Sequence, residues 1–142
     1  MKILEQLKEK LADKIVKIEQ PNKTRLYITV DRKDLSEAVQ AVFSGLGGRY
    51  VIASAVDNFD NFEILYHFAF DRENVMVSLR VFLEREKPEV ESFAALIPGI
   101  AYIEREMWEL FGINFLNHPN LKHFLLPVDW PEGNYPLRKA NG

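Results

Sequence analysis

The chain has 142 residues, 47% of them hydrophobic, which fits one domain with a real core and argues against disorder. Its 18 basic and 21 acidic residues give a net charge of -3, so the basic surplus that drives phosphate binding is missing and nucleic acid is not an expected partner. Cysteine is absent, which excludes disulfides and removes the usual ligands of iron–sulfur clusters and thiolate zinc sites, so any redox cofactor is expected to belong to a partner.

Ile3, Leu4, Leu7, Leu11 and Ile15 stripe the first segment among Lys and Glu, the pattern of an amphipathic helix ending near Ile15. The start, Met1-Lys-Ile-Leu-Glu-Gln, is charged rather than signal-like, and no apolar run approaches the ~18 residues of a spanning helix. The expected location is therefore cytosolic or peripheral. Ile15–Glu19 and Arg25–Val30 read as a hairpin around the turn residues Pro21-Asn22-Lys23. Asp31 or Asp34 is the expected cap of a second helix, whose buried stripe is Leu35, Ala38, Val39, Val42 and Leu46. Gly45, Gly47 and Gly48 stop it; following a helix instead of opening one, they do not converge as a phosphate cradle does.

Three strands are expected at Arg49–Val56, Phe62–Phe70 and Val75–Leu83. Phe62, Ile64, Tyr66, Phe68 and Phe70 share one face of the second, and Val75, Val77, Leu79, Val81 and Leu83 one face of the third. The short loop Asp71–Asn74 makes this pair antiparallel. Glu63, His67, Ser78 and Arg80 dilute the other face. Val90, Phe93, Leu96 and Ile97 suggest a short helix broken at Pro98-Gly99.

A further helix carries Ile100, Ile103, Met107, Leu110 and Phe111 on its expected inner stripe, with Glu104, Arg105, Glu106 and Glu109 outside. Gly112 ends it. Pro119, Pro127, Pro131 and Pro136 then space an irregular arm that is nevertheless rich in Phe115, Leu121, Phe124, Leu125, Leu126, Trp130 and Leu137. The expected fold is α+β, a mixed and largely antiparallel sheet covered by helices. Residues 1–112 would form the body and residues 113–142 the arm of a single domain.

Glu104, Glu106 and Glu109 with His118 and His123 are the only cluster that suggests a metal, and no His-Glu-x-x-His or Glu-x-x-His spacing puts two ligands on one helix face. His67 stands alone in a strand, without a nucleophile motif. Arg105 and Glu106 flanked by Trp108 and Phe111, together with the cationic Arg138-Lys139, read instead as anchors for a partner.

The blocks Glu104-Arg-Glu-Met-Trp-Glu-Leu-Phe-Gly-Ile-Asn-Phe, His118-Pro-Asn-Leu, Leu125-Leu-Pro-Val-Asp-Trp130 and Pro136-Leu-Arg-Lys139 resemble the signature of the C subunit of NADH-quinone oxidoreductase, the 30-kilodalton subunit of respiratory complex I. The resemblance implies a cofactor-free hydrophilic-arm subunit, without catalytic residues of its own, that scaffolds a membrane-associated electron-transfer complex from its cytoplasmic face. Its implied partners are iron–sulfur subunits and the catalytic large subunit, either the complex I 49-kilodalton type or that of a nickel–iron hydrogenase. Its implied partner interface comprises Glu104, Arg105, Glu106, Trp108, Phe111, His118, Pro119, Trp130, Pro136, Leu137, Arg138 and Lys139. Glu109 stands where the family usually has Asp, and Asn117 where Gly commonly precedes His-Pro. The spacing from Trp130 to Lys139 and the end at Gly142, short of many complex I members, are more similar to the related subunit of energy-converting nickel–iron hydrogenases. The rival readings are a small metal-dependent hydrolase using Glu104, Glu106 and a histidine, and a free binding module.

Overall fold

The structure, a computed structural model, describes residues 1–121, 131, 133 and 135–138. Helix α1 spans Lys2–Leu11 and buries Ile3, Leu7 and Leu11. It ends before Ile15, because Ala12 takes a positive φ of 45° and the β-branched pair Ile15-Val16 already belongs to a strand. Strands β1 (Ile15–Asn22) and β2 (Arg25–Val30) form the expected antiparallel hairpin. The Asn22 carboxamide oxygen accepts from the Thr24 amide at 2.8 Å and closes the turn, so Pro21 lies within an edge strand rather than in the turn itself.

A 3₁₀ turn at Arg32–Asp34 leads into α2, Leu35–Gln40, which continues as a π-helical turn over Ala41–Gly45. Neither Asp31 nor Asp34 caps it through a side chain; the amide of Asp34 bonds the carbonyl of Asp31 instead. Strands β3 (Arg49–Asp57), β4 (Asn61–Phe70) and β5 (Val75–Glu84) follow, and the five strands form a mostly antiparallel sheet in the order β1-β2-β5-β4-β3. The β2–β5 pair is parallel, with Leu26 beside Val77 and Ile28 beside Leu79. The inward rows expected for β4 and β5 are buried throughout. On the other face the Ser78 hydroxyl lies 2.6 Å from His67 Nδ1, so His67 is a satisfied sheet residue.

By its internal contacts the chain divides into two units. The first comprises Met1–Ala53 and Ile64–Phe82; the second comprises Ser54–Glu63 and Leu83–Gly142. The first holds both early helices and the body of the sheet. In the second, Glu89–Glu91 (β6) and Asn114–Leu116 (β7) form a two-stranded parallel sheet in which Val90 pairs with Phe115. That pairing takes Val90 out of the expected short helix, and Phe93–Ile97 is only a turn closed on the Phe93 carbonyl. The start of the arm is also more regular than its prolines suggested, since Ile113 and Phe115 are buried about β7.

Helix α3, Ala101–Phe111, follows a 3₁₀ turn at Pro98–Ile100. Its burial departs from the expected stripe: Glu104, Arg105, Met107 and Glu109 are buried, while Ile103, Leu110 and Phe111 are half-buried. The reason is helical geometry. Glu104 lies one turn from both Ile100 and Met107 and is carried inward with them, where polar partners meet it. Among the described residues, no helix is long and apolar enough to cross a membrane.

Candidate partner-binding site

Two side-chain clusters in the second unit gather part of the interface expected from the sequence, Glu104 and His118 in one and Phe111 and Arg138 in the other. The first is built on Glu104, whose carboxylate is 1% exposed. The Ser92 hydroxyl donates to Oε1 at 2.6 Å, and the Phe93 amide donates to Oε2 at 2.9 Å. Burial pushes the carboxyl up to about 7 against the pull of these two donors, and the neighbouring Glu91 charge pushes the same way. His118 Nε2 stands 3.6 Å from Oε1. Its Nδ1 accepts from the Asn120 amide at 2.9 Å and its Nε2 reaches the Ala101 carbonyl at 3.1 Å, a pattern that assigns a neutral ring carrying its proton on Nε2. Glu104 and His118 therefore tie α3 to the segments on either side of it. Asn117, where Gly is commoner, takes a φ of 64° that asparagine tolerates, and its side chain donates to Glu91 at 2.9 Å.

The second cluster closes the other end of α3. Gly112 adopts the left-handed conformation expected of a helix stop, with φ 78°. The end of the arm then returns to the helix: the Leu137 amide donates to the Leu110 carbonyl at 2.9 Å, and Arg138 Nε donates to the Phe111 carbonyl at 2.7 Å. These bonds satisfy carbonyls that a helix leaves without partners and set a cation at the negative end of its dipole. The end of the arm therefore serves the fold. The Tyr135 ring packs so closely that a Cβ on Gly112 would stand 2.5 Å from it. Gly112→Ala is expected to cost at least about 1–2 kcal/mol, the penalty of a left-handed alanine, and to displace Tyr135. Urea unfolding checks the cost; an unchanged midpoint would count against this closure.

The Arg138 guanidinium lies 4.6 Å from the centre of the Tyr135 ring and 5.2 Å from that of Phe62, while Phe111 meets Phe62 edge-on. Arg85 lies 5.0 Å from the same Phe62 ring and grips Asp57 through two hydrogen bonds, at 2.5 and 3.1 Å. Asp57 also accepts from the Phe59 amide at 2.8 Å. Burial lowers the pKa of Arg138, and repulsion from Arg85 adds to it; Tyr135 and Asp57 act in the opposite sense.

Of the remaining residues, Arg105 is buried with its guanidinium 5.9 Å from the Tyr102 ring, and Glu106 and Trp108 are half-buried. Pro119, Pro136 and Leu137 are exposed. The expected surface positions of Glu104 and Arg105 are thus corrected, since both turn into the chain. Trp130, Lys139 and His123 lie outside the described residues. Among the described residues no group of three His, Asp or Glu side chains converges as a metal site would. Sequence reading missed Asp57, Phe62, Arg85, Ser92 and Tyr135 as members of these clusters. Only Tyr135, beside Pro136-Leu-Arg-Lys139, carried a local signal.

Residues 28–141 match the family described as respiratory-chain NADH dehydrogenase, 30 Kd subunit. The C subunit of F(420)H(2) dehydrogenase from Methanosarcina mazei is 36% identical over 142 residues, covering 96% of this chain and 88% of that protein. The C subunit of NADH-quinone oxidoreductase from Roseiflexus is 42% identical over 78 residues, 55% of this chain and 44% of that protein. The match to the longer C/D subunit of the NADH-quinone oxidoreductase of Buchnera aphidicola, 39% identical over 79 residues, spans 56% of this chain and 13% of that protein. The fold is shared with a chain in the structure of the membrane-bound sulfane sulfur reductase (MBS), an archaeal respiratory membrane complex; the TM-score is 0.84 at 19% identity, covering 98% of this chain and 83% of that one. It is shared too with the trypsin-resistant fragment (1-134) of Nqo5, with a TM-score of 0.70 at 22% identity over 85% of this chain and all of that one. With its matched region running from the first hairpin to the end of the arm, the chain belongs to the 30 Kd subunit family of the respiratory-chain NADH dehydrogenase.

Proposed function

We propose that this chain is a scaffold subunit of a membrane-associated electron-transfer complex, held at the cytoplasmic face by its partners and carrying no catalytic residue or cofactor of its own. Its partners are the catalytic large subunit, of the complex I 49-kilodalton or nickel–iron hydrogenase type, and the iron–sulfur subunits. The donor is other than NADH. The observation that carries this reading is the match to the F(420)H(2) dehydrogenase protein along nearly the whole of both chains, where the NADH-quinone subunits named above match over about half of this one. Glu106, Trp108, Pro119, Pro136 and Leu137, with Trp130 and Lys139, meet the partners. Glu104, Arg105, Phe111 and His118 shape that surface from within, and Arg138, held by the second cluster, belongs to the surface itself.

Two measurements test it. A tag on this chain in its native cells, followed by mild solubilisation of the membranes, is expected to recover a large subunit and iron–sulfur subunits; recovery of the chain alone would refute the scaffold role. The isolated chain is expected to be colourless, and stoichiometric iron, zinc or flavin after mild anaerobic purification would refute the absence of a cofactor.

A further inference from the structure

Among the described residues, two guanidinium groups share the Phe62 ring, and one carboxylate stands with them. That carboxylate, Asp57, is committed to Arg85 by two hydrogen bonds and to the Phe59 amide by a third. Arg138 thus has no acid matching it among the described residues. Its Nε is occupied by the Phe111 carbonyl, and its two terminal amino groups have no acceptor among the described residues. The plane of the group is held by that bond and by the Phe62 and Tyr135 rings, so its Nη1–Nη2 edge is a fixed fork on a partly desolvated cation. Such a fork matches the two oxygens of a carboxylate, and little entropy remains to be lost when it pairs.

We propose that the Nη1–Nη2 edge of Arg138 receives the carboxylate of an Asp or Glu side chain from a partner subunit. The inference rests on the scaffold reading above and names the chemistry of one of its contacts. Among the described residues the charges about this ring favour a carboxylate over a phosphate: two cations, Arg85 and Arg138, against one acid, Asp57, leave a single positive charge, which one monoanion balances. Pro136 and Leu137, both exposed, put apolar surface next to it in the chain, as at interfaces where a charged pair is shielded from water.

The test uses the whole complex, purified through a tag on this chain and treated with a carbodiimide, which joins a carboxylate to a neighbouring lysine amine. Lys139 follows Arg138 directly in sequence, and a link from Lys139 to an Asp or Glu of a partner subunit is expected. Arg138→Lys is expected to lower recovery of that partner at least tenfold, changing the linked acid to its amide should do the same, and the two changes together should do little more than either. Because Arg138 also closes α3, the melting temperature of the isolated Arg138→Lys chain is measured alongside; the change in the partner's acid leaves this chain intact and keeps the test independent of folding. Links from Lys139 only to acids of its own chain, or no link at all, would overturn the proposal, as would additive losses or undiminished recovery of Arg138→Lys. If the unsubstituted chain recovers no partner, it is the scaffold reading that falls.

Discussion

Replacing Phe68 with alanine is expected to cost about 3–5 kcal/mol of stability, the range for an aromatic side chain truncated in a packed core. Phe68 is wholly buried on β4, and β4 is held on both sides, by β5 and by β3. Its ring centre lies 6.4 Å from that of Phe43 and 6.1 Å from that of Tyr50, the latter edge-on. A strand flanked on both sides cannot move in to fill the void, so most of the cavity remains. For a domain with a typical stability of about 5–15 kcal/mol, this is a large share of the whole. Phe59, 59% exposed at the loop between β3 and β4, is the control: Phe59→Ala should stay within about 0.5 kcal/mol. Urea unfolding of both variants decides the matter, and equal midpoints would show that the Phe68 ring is not core.

The second large effect is a dependence on pH. The Glu104 carboxyl sits at about 7 in the folded chain against an ordinary value of 4.5, so between those values the native state holds a proton that the unfolded chain has released. Stability therefore falls as pH rises from about 4.5 to about 7 and levels off above that. The shift corresponds to roughly 3 kcal/mol. Glu104→Gln keeps the shape and an oxygen to accept a hydrogen bond, but it does not ionise. It is expected to flatten this part of the profile and to be more stable than the parent above a pH of about 7. Chemical denaturation at several pH values from about 4 to about 8 gives both curves; parallel slopes would mean that another group carries the dependence.

The strongest signals in the sequence were those that a single segment can carry. The alternation along β4 and β5 and the glycine after Phe111 needed no knowledge of what lay opposite, and both are found as read. The inner face of α3 was misread for a physical reason: apolar spacing counts a glutamate as exposed, whereas Glu104 is brought in by its helical position and met by a hydroxyl and an amide from Ser92 and Phe93. Those donors lie in a different segment. The same holds for β6 and β7, each only three residues long and so too short to show a period, and for Asp57 and Arg85, whose pairing joins distant parts of the chain. Arg138 was found because its motif drew attention to it. Its hydrogen bond to the end of α3 was not, because a backbone carbonyl leaves no mark on composition.

The parallel pairing of Arg25–Thr29 with Met76–Arg80 also bears on how the chain is made. During synthesis β1 and β2 leave the ribosome early, while the strand that will cover the open side of β2 is among the last of the large sheet to appear. Until then Leu26, Ile28 and Val30 lie along an unpaired edge, a template for joining another nascent chain. Closing so long a loop is slow, and a slow step that exposes an apolar edge is one at which chaperones act. A ribosome stalled before Met76 would hold a hairpin with no partner for its inner strand, so the yield of this protein should depend on the pace of translation through the segment that separates β2 from β5.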